Sequence, residues 1–492
     1  MRYKLRVTRA LALVVFLLAI LYLYAFDRLP TSLTEHLHSF NYNYSSSYDG
    51  QWTSETGNTA SDDIQSLWSH WSKIIHDARP KTQHILLSSN AYPLGIASSD
   101  HGSREDPRNR VINPESDIKS LRSSHSTFLK TLQTEDVVGD IFKGQGVVTV
   151  GGGEYFGPAI IGLHMLRKTG CTLPVEIFVA DASEYEPSIC EDYLPKYGAR
   201  CLILSDFLHN GSTVPTFEVT HYQLKSLAML FSSFAEILYL DSDSIPLFNP
   251  STELFSTEPY KSNGLVIWPD FWISTESPLF YTIAGLHSFP SNLPKTSSEA
   301  GQILFNKKTH LKTLLLAIYY NIYGPDTYYP LLSQGVLGQG DKETFMAAAL
   351  VAGESYYRVK TGVASIGRND GKEFRGSGMI QHHPHDDFLR QASNNENGSE
   401  ILVRPAFMHA NTPKMNAGHL VDEGDLFSIH RERLRLWGSR EEQEKLFGVD
   451  LEKVVWGLLV ETGCELEFRI EEWRDRERMC GRLEEHWKDV FE

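Results

Sequence analysis

A short apolar run that ends in two aspartates is the sequence feature that most constrains this chain. Residues 237–240 are apolar, Asp241 and Asp243 follow one residue apart, and Pro246 closes the segment. A run of this length bounded by a turn signal is typical of a buried strand. Its two carboxylates would leave the carboxyl end of the strand, where open α/β sheets bind their ligands. Because like charges repel, a divalent cation with a phosphate on its other side is the natural partner.

Strand-like and helix-like segments alternate around this run. Predicted strands cover 147–150, 175–180, 199–204 and 264–268, and predicted helices cover 154–169, 222–234, 311–320 and 342–351. This alternation predicts an α/β fold with a mixed, mainly parallel sheet flanked by helices. Gly151, Gly152 and Gly153 directly follow the first strand. That position is typical of a phosphate-binding corner, although a tight turn that needs glycine explains them equally well.

Composition excludes some classes of function. The chain has 492 residues, of which 41% are hydrophobic, as in a globular protein. A net charge of −16 argues against a nucleic-acid-binding surface, whereas a nucleotide diphosphate can still bind if a metal ion supplies positive charge. The five cysteines lack the paired spacing of a zinc site. Disulfides are therefore expected, with at least one cysteine left unpaired.

An apolar segment near the N-terminus predicts a membrane anchor. Residues 10–26 carry no charge and follow the basic stretch 1–9, so we expect a signal-anchor with a cytoplasmic N-terminus. A cleaved signal peptide is the alternative, but residues 10–26 end without a clear small-x-small cleavage site. Asn43, Asn210 and Asn397 begin glycosylation sequons, which fits exposure of the remaining chain to a lumen.

These segments divide the chain into parts. We expect residues 1–9 to form a cytoplasmic tail, 10–26 the transmembrane signal-anchor, 27–138 a luminal stem, 139–422 the main α/β domain and 423–492 a charged helical C-terminal extension. Within the stem, residues 64–75 and 118–132 have the spacing of short helices. The histidines at 382, 383 and 385 are interpreted as an exposed loop rather than as a metal-binding tract.

Several sequence blocks occur in order between residues 144 and 415. They are VVTVGGGEYF (147–156), LRKTGCTLPVE (166–176), YLDSDSIPL (239–247), SEAGQ (298–302), GDKETF (340–345) and FMHANTPK (407–414). Together they resemble the fungal Golgi α-mannosyltransferase family. The resemblance implies a GT-A type fold and retaining, Mn²⁺-dependent transfer of mannose from GDP-mannose to an α-mannoside of a glycoprotein, in α-1,2 or α-1,3 linkage. Together with the predicted anchor, it implies a single-pass type II protein of the Golgi membrane, for which a complex with other mannosyltransferases is one possibility.

The resemblance assigns the metal and the donor diphosphate to a few residues. Asp241, Asp243 and His409 would bind the metal ion. Lys225 and Lys414 would bind the donor, and Lys414 could neutralise the departing diphosphate. For His409 the alternative is a hydrogen-bonded structural histidine, and for Lys225 it is a surface lysine.

Other residues are candidates for contact with the sugars. Asp341 and Glu299 are the candidate catalytic residues near the acceptor hydroxyl or the mannose, although an acid at 341 could equally cap the following helix. The remaining candidate substrate-binding residues are Gly151, Gly152, Gly153, Tyr155, Asp181, Asp270 and Gln302. The aromatic residues at 268, 271 and 272 could form a sugar platform or belong to the core.

The mechanism and two rival functions stay open at this point. No carboxylate is identifiable as a nucleophile, so we expect front-face transfer, in which the leaving phosphate helps to deprotonate the acceptor. A haloacid-dehalogenase-type phosphatase also places Asp-x-Asp after an apolar strand, but Ile245 stands where those enzymes prefer threonine or valine. A non-catalytic glycan-binding protein of the same fold is the other alternative. The pattern leaves open whether the acceptor is an N-glycan, an O-glycan or a glycolipid.

Overall fold

The computed structural model of the chain describes residues 57–492, apart from 83, 92–107, 138, 210–214, 287–288, 337, 372, 394–400, 423 and 429. The predicted tail and anchor, the first part of the predicted stem, and the three sequon asparagines, Asn43, Asn210 and Asn397, lie outside the described residues. Within the described ranges, no helix is both long enough and apolar enough to cross a membrane.

Two sheets organise these residues. In chain order the strands are β1 Gln145–Val150, β2 Val175–Val179, β3 Ala199–Ile203, β4 Glu236–Leu240, β5 Ser244–Pro246, β6 Leu265–Ile273, β7 Thr296–Asn306, β8 Tyr357–Arg358, β9 Ala364–Asp370, β10 Glu373–His382 and β11 Pro405–His409. The larger sheet has the order β3-β2-β1-β4-β7-β6-β8, and the smaller has the order β5-β11-β10-β9. In the larger sheet β7 is antiparallel to both of its neighbours, and every other pair is parallel. The prediction of a mixed, mainly parallel sheet is therefore confirmed.

The α-helices cover both faces of the larger sheet. They are α1 Gly57–Asp77, α2 Glu115–Thr134, α3 Phe156–Lys168, α4 Pro187–Cys190, α5 Leu204–Leu208, α6 Gln223–Phe231, α7 Pro250–Glu253, α8 Tyr260–Asn263, α9 Pro278–Ile283, α10 Lys307–Ile322, α11 Tyr329–Ser333, α12 Thr344–Ala352, α13 Pro384–Ala392, α14 Ala417–Leu420, α15 Arg440–Phe447, α16 Leu451–Leu466 and α17 Met479–Phe491. The two predicted helices of the stem are present as α1 and α2.

Alternation along β4 places its side chains in two separate cores. Ile237 and Tyr239 face the core that contains α6, α10 and α12, and Leu238 and Leu240 face the core that contains α3, α16 and the smaller sheet. All four side chains are at most 5% exposed, so both faces of the strand are covered. β4 is therefore a buried strand, as the apolar run predicted, and it delivers Asp241 and Asp243 to the carboxyl edge of the sheet.

The residues assigned to the stem and to the C-terminal extension pack on the rest of the fold. Trp68 of α1 contacts Phe231 at a ring-centroid distance of 5.5 Å, and Phe128 of α2 stacks on Tyr319 at 4.4 Å. At the other end, Trp456 of α16 is fully buried in the second core. The proposed domain boundaries remain predictions.

The cysteines pair as the composition predicted. Cys190 is bonded to Cys201 and Cys464 to Cys480, and Cys171 is free and buried. The prediction of an exposed histidine loop is wrong. The histidine at 382 ends β10, and the one at 383 is 1% exposed because it caps α13.

Candidate active site

The ends of β4 and β11 bring the three predicted metal ligands together. The backbone N–H of Asp241 donates to the carbonyl of Gly301 in β7 at 2.8 Å, and the N–H of Ala410 donates to the carbonyl of Asp243 at 2.9 Å. These bonds fix the turn after β4 against β7 and against the end of β11. The ligand atoms of Asp241, Asp243 and His409 consequently lie within 4.8 Å of one another. Two carboxylates and one imidazole are a donor set that suits a divalent ion such as Mn²⁺.

Asp243 is the buried member of this group. Its side chain is 3% exposed, its Oδ1 lies 3.0 Å from Nε2 of His409, and its Oδ2 is paired with Nζ of Lys414. Burial alone would raise the pKa of Asp243, but His409 and Lys414 together hold it well below its usual range. Burial would lower the pKa of His409, whereas Asp243 and Glu299 raise it well above its usual value. A bound metal ion would therefore have to displace a proton from His409.

Glu299 stands behind His409. Its Oε1 lies 3.4 Å from Nδ1 of His409 and accepts a hydrogen bond of 2.8 Å from the N–H of Gly301. Burial would raise the pKa of Glu299, but His409 outweighs burial and the pKa falls to about 2. A carboxylate on the far nitrogen of a metal-binding histidine fixes the orientation of the ring. The contact is compatible with Glu299 orienting His409 toward a metal ion, and it is equally compatible with a hydrogen-bonded structural histidine.

Lys225 forms ion pairs with two carboxylates, those of Asp241 and Asp341. Its Nζ lies 3.2 Å from Oδ1 of Asp241 and 3.1 Å from Oδ2 of Asp341, and it donates to the carbonyl of Ala300 at 2.7 Å. The hydroxyl of Tyr239 donates to Asp241 at 2.8 Å. Lys225 is only 6% exposed, so the surface-lysine alternative does not hold.

The carboxyl of Asp341 is buried and does not cap a helix. The helix that follows, α12, has Glu343 at its N-cap, and no side chain bonds there. Burial raises the pKa of Asp341 to about 6, and Lys225 partly offsets this increase. A carboxyl that titrates close to neutrality beside a candidate metal group is typical of an active site.

A second buried ion pair lies next to this one, and sequence reasoning found only one of its partners. Nζ of Lys342 lies 2.6 Å from Oδ2 of Asp270, and both side chains are at most 13% exposed. Burial raises the pKa of Asp270, and Lys342 opposes that rise. The position of Lys342, directly after Asp341, was the only available signal. It was missed because a single lysine in a sequence is usually a solvated surface residue.

The glycine turn after β1 has a backbone that needs glycine. Gly152 has φ 99° and Gly153 has φ 49°, and a Cβ on Gly152 would lie 2.5 Å from Oε2 of Glu184. The tight-turn explanation therefore accounts for both positions. The turn also places Tyr155 near the metal group, with Nζ of Lys414 5.7 Å from the centre of its ring.

Three predicted positions have contacts outside this cluster. Asp181 is exposed, and its Oδ1 accepts a 2.7 Å bond from the N–H of Ser183, which caps a short turn. Gln302 is fully buried beside Leu240, and its amide has no hydrogen-bond partner among the described residues. Trp268 is also fully buried, so the core explanation applies to it.

Buried carboxylates, lysines and a histidine meet at the carboxyl edge of a mainly parallel sheet, which is where open α/β folds place their ligand sites. Residues 144–292 and 285–383 match the family model "Mannosyltransferase putative". Alpha-1,2-mannosyltransferase MNN21 of Candida albicans is 35% identical over 84% of this chain and 73% of its own length. Alpha-1,2-mannosyltransferase MNN2 of Saccharomyces cerevisiae is 37% identical over 58% of this chain and 52% of its own length. The chain belongs to this family of fungal mannosyltransferases.

Solved structures are similar at lower levels. The glycosyltransferase GlyE of Streptococcus pneumoniae is 16% identical, with a TM-score of 0.28 over 44% of this chain and 45% of that one. A TM-score of this size supports no inference about individual residues.

Proposed function

We propose that this chain transfers mannose from GDP-mannose to an α-mannoside acceptor in a metal-dependent reaction. The observation that carries the proposal is the grouping of Asp241, Asp243 and His409 with Lys414 at its edge. The names of the relatives support mannose as the transferred sugar and favour the α-1,2 over the α-1,3 linkage.

The chemistry to be catalysed is the departure of GDP. A Mn²⁺ ion held by Asp241, Asp243 and His409 would stabilise negative charge on the diphosphate. Lys414 contributes a second positive charge, and its side chain is 40% exposed, so it is accessible to a ligand. Lys225 neutralises Asp241 and Asp341 from below, which lowers the repulsion between these carboxylates and an anionic donor.

We infer retention from the family resemblance, and we propose that it proceeds by front-face transfer. The bond from mannose C1 to the phosphate oxygen breaks, C1 bonds to the acceptor oxygen on the same face, and the hydroxyl proton passes to the departing phosphate. Asp341 is paired with Lys225, and Glu299 is held by Gly301 and His409, so neither carboxylate is free for attack on C1. A trapped mannosyl-enzyme adduct on Asp341 or Glu299 would contradict this mechanism.

For the cellular setting we propose a Golgi membrane protein, anchored by residues 10–26, with its catalytic part in the lumen and glycoproteins as acceptors. The support is the apolar segment and the three sequons of the sequence. Protease protection of the epitope-tagged chain in sealed Golgi vesicles tests this topology, and digestion of the C-terminal tag without detergent would refute it.

One assay tests the activity. The purified full chain is incubated with Mn²⁺, an α-mannobiose acceptor and GDP-mannose, UDP-glucose or UDP-galactose, and the product is digested with a linkage-specific α-1,2-mannosidase. We expect transfer from GDP-mannose alone, and a loss of about 10³-fold in Asp241→Asn because removal of a metal ligand withdraws leaving-group stabilisation. Asp326→Asn is the matched control, since Asp326 is 63% exposed. Phosphate release without sugar transfer would instead support the phosphatase alternative.

A further inference from the structure

An exposed aromatic ring lies beside Asp341, and the chemistry described above does not use it. Tyr222 is 56% exposed, whereas Tyr239, Tyr328 and Tyr329 in the same region are at most 4% exposed. Large aromatic side chains normally bury most of their surface, so an open ring at the rim of a charged site is available to a ligand.

The fold places Tyr222 at the candidate active site. It immediately precedes α6, whose chain continues directly into β4, so the N-terminus of α6 lies at the same edge of the sheet as Asp241. Lys225 comes three residues later on the same face of α6, and its Nζ contacts Asp241 and Asp341. Three helical residues rise only about 4.5 Å, so the ring stands one turn above these ion pairs.

The ring is also held from the other side. A Cβ on Gly340 would lie 3.0 Å from Cδ2 of Tyr222, so the turn before Asp341 passes close to the ring edge because residue 340 is glycine. Burial is the main cause that raises the pKa of Tyr155, and an electrostatic contribution from Tyr222 raises it further. The hydroxyl of Tyr222 therefore lies near Tyr155. Tyr222 thus lies between Tyr155, which follows the glycine turn after β1, and Gly340, which precedes Asp341.

We propose that Tyr222 is the platform of an acceptor subsite, on which the apolar C–H face of a hexopyranose stacks while its hydroxyls approach Asp341. This inference rests on the proposed function and names the binding site of its acceptor. A sugar fits better than a nucleobase. In a nucleotide sugar the ribose separates the base from the metal-bound diphosphate, whereas the Tyr222 ring lies within one helical turn of Lys225, which contacts Asp241. The acceptor fits better than the donor mannose, because the acceptor enters from solvent and the ring is open to solvent.

The test compares acceptor and donor parameters in the full-length protein. For Tyr222→Ala we expect the KM for methyl α-mannopyranoside to rise about tenfold, as expected from the loss of one aromatic stacking contact. The KM for GDP-mannose and the slow hydrolysis of GDP-mannose without acceptor should stay unchanged. Tyr222→Trp should keep the wild-type acceptor KM. Phe374→Ala is the matched control, because Phe374 is an exposed aromatic residue, 51% accessible, on β10 of the smaller sheet.

A binding measurement separates this proposal from the proposed function. Saturation-transfer NMR should detect methyl α-mannopyranoside on the wild-type protein, and a titration should show about tenfold weaker binding to Tyr222→Ala, whether or not transfer occurs. An unchanged signal and acceptor KM in Tyr222→Ala would overturn the platform. A rise in the KM for GDP-mannose instead would assign the ring to the donor. Tyr222→Leu, which keeps apolar volume but has no ring, gives the same readout if the alanine variant unfolds.

Discussion

Lys225 controls the charge balance of the candidate site. It is the buried cation shared by Asp241 and Asp341, while Lys342, Lys414 and His409 each serve other carboxylates. Burying a charge without a partner costs more free energy than leaving it in water. Removal of Lys225 would therefore destabilise the fold mainly because Asp241 and Asp341 would repel each other.

For Lys225→Met we expect a fall in the free energy of unfolding of about 3 kcal/mol, in the range for a broken buried ion pair. The double variant Lys225→Met with Asp341→Asn should recover at least half of that loss, because it removes one of the two stranded carboxylates. Urea denaturation of the metal-free protein measures both values, with the exposed Lys196→Met as control. A double variant as unstable as the single one would show that the repulsion is not the cause.

A second residue-scale prediction concerns pH and lies far from the metal group. Glu452 at the start of α16 is fully buried, and it accepts hydrogen bonds from the N–H groups of Leu436 and Trp437 at 2.5 and 3.0 Å. Burial raises the pKa of Glu452 from 4.5 to about 7, although these donors oppose the rise. Between these two pH values the Glu452 carboxyl therefore binds more protons in the folded chain than in the unfolded chain.

The contribution of Glu452 to the free energy of unfolding should accordingly fall as pH rises from about 4.5 to about 7. The expected loss is on the order of 3 kcal/mol, because each tenfold difference in proton affinity between the folded and unfolded chain corresponds to ~1.4 kcal/mol. Glu452→Gln cannot titrate, so the difference in free energy of unfolding between wild type and Glu452→Gln isolates this contribution from that of the buried histidines, whose lowered pKa values act in the opposite direction. Urea titrations at several pH values measure the slope, and Glu441→Gln, at an exposed position on α15, should keep the wild-type slope. A difference between wild type and Glu452→Gln that does not change through this window would contradict the prediction.

At the scale of elements, the connection from β1 to α3 has the most demanding backbone near the site. Gly152 has φ 99° and ψ 148°, a region that only glycine populates readily. Gly153 has φ 49° with no atom within 4 Å of an added Cβ, so alanine there meets only the left-handed penalty.

These adjacent glycines form a matched pair of variants. Gly153→Ala should lower the free energy of unfolding by about 1 kcal/mol. Gly152→Ala should lower it by about 3 kcal/mol or more, because strain adds to the clash with Glu184. Thermal unfolding compares them directly. Equal losses in the two variants would mean that the turn relaxes around the added methyl group.

The elements that could be predicted from sequence are those with a local apolar pattern. β1, β2 and β4 each contain a continuous run of buried residues, β3 contains the apolar run 201–203, and all four strands are present where expected. β7 was not predicted, because its first residues, Thr296 to Gln302, are mostly small or polar. It is nevertheless central in the sheet, where its antiparallel pairing with β4 forms the site wall.

The same distinction applies to the site. Asp241 and Asp243 form a local motif and were found, and the family resemblance supplied His409. Lys342 and Asp270 are 72 residues apart in sequence, and only the fold brings them together. No periodicity along the chain encodes such a contact, since it depends on how β6 and the turn before α12 pack.

At the scale of the whole molecule, the C-terminal extension supports the glycine turn. Trp473 is 1% exposed, and its indole N–H donates to Oδ1 of Asn416 at 2.9 Å. Nδ2 of Asn416 in turn donates to the carbonyl of Glu154 at 2.8 Å, and its backbone N–H donates to the carbonyl of Lys414 at 2.8 Å. Trp473 of the extension is thus linked through Asn416 to the backbone of Glu154, next to Tyr155, and to the backbone of Lys414.

Trp473→Ala should therefore affect ligand binding as well as stability. Loss of a fully buried tryptophan is expected to lower the free energy of unfolding by about 3 to 5 kcal/mol. Because Asn416 also loses its indole donor, the turn and Lys414 should shift, and GDP binding in the presence of Mn²⁺ should weaken about tenfold by isothermal titration calorimetry. Trp487→Ala is the control for destabilisation alone, since Trp487 lies in the same extension but packs on Phe491. If both variants bind GDP equally well while folded, the extension stabilises the fold without positioning the site.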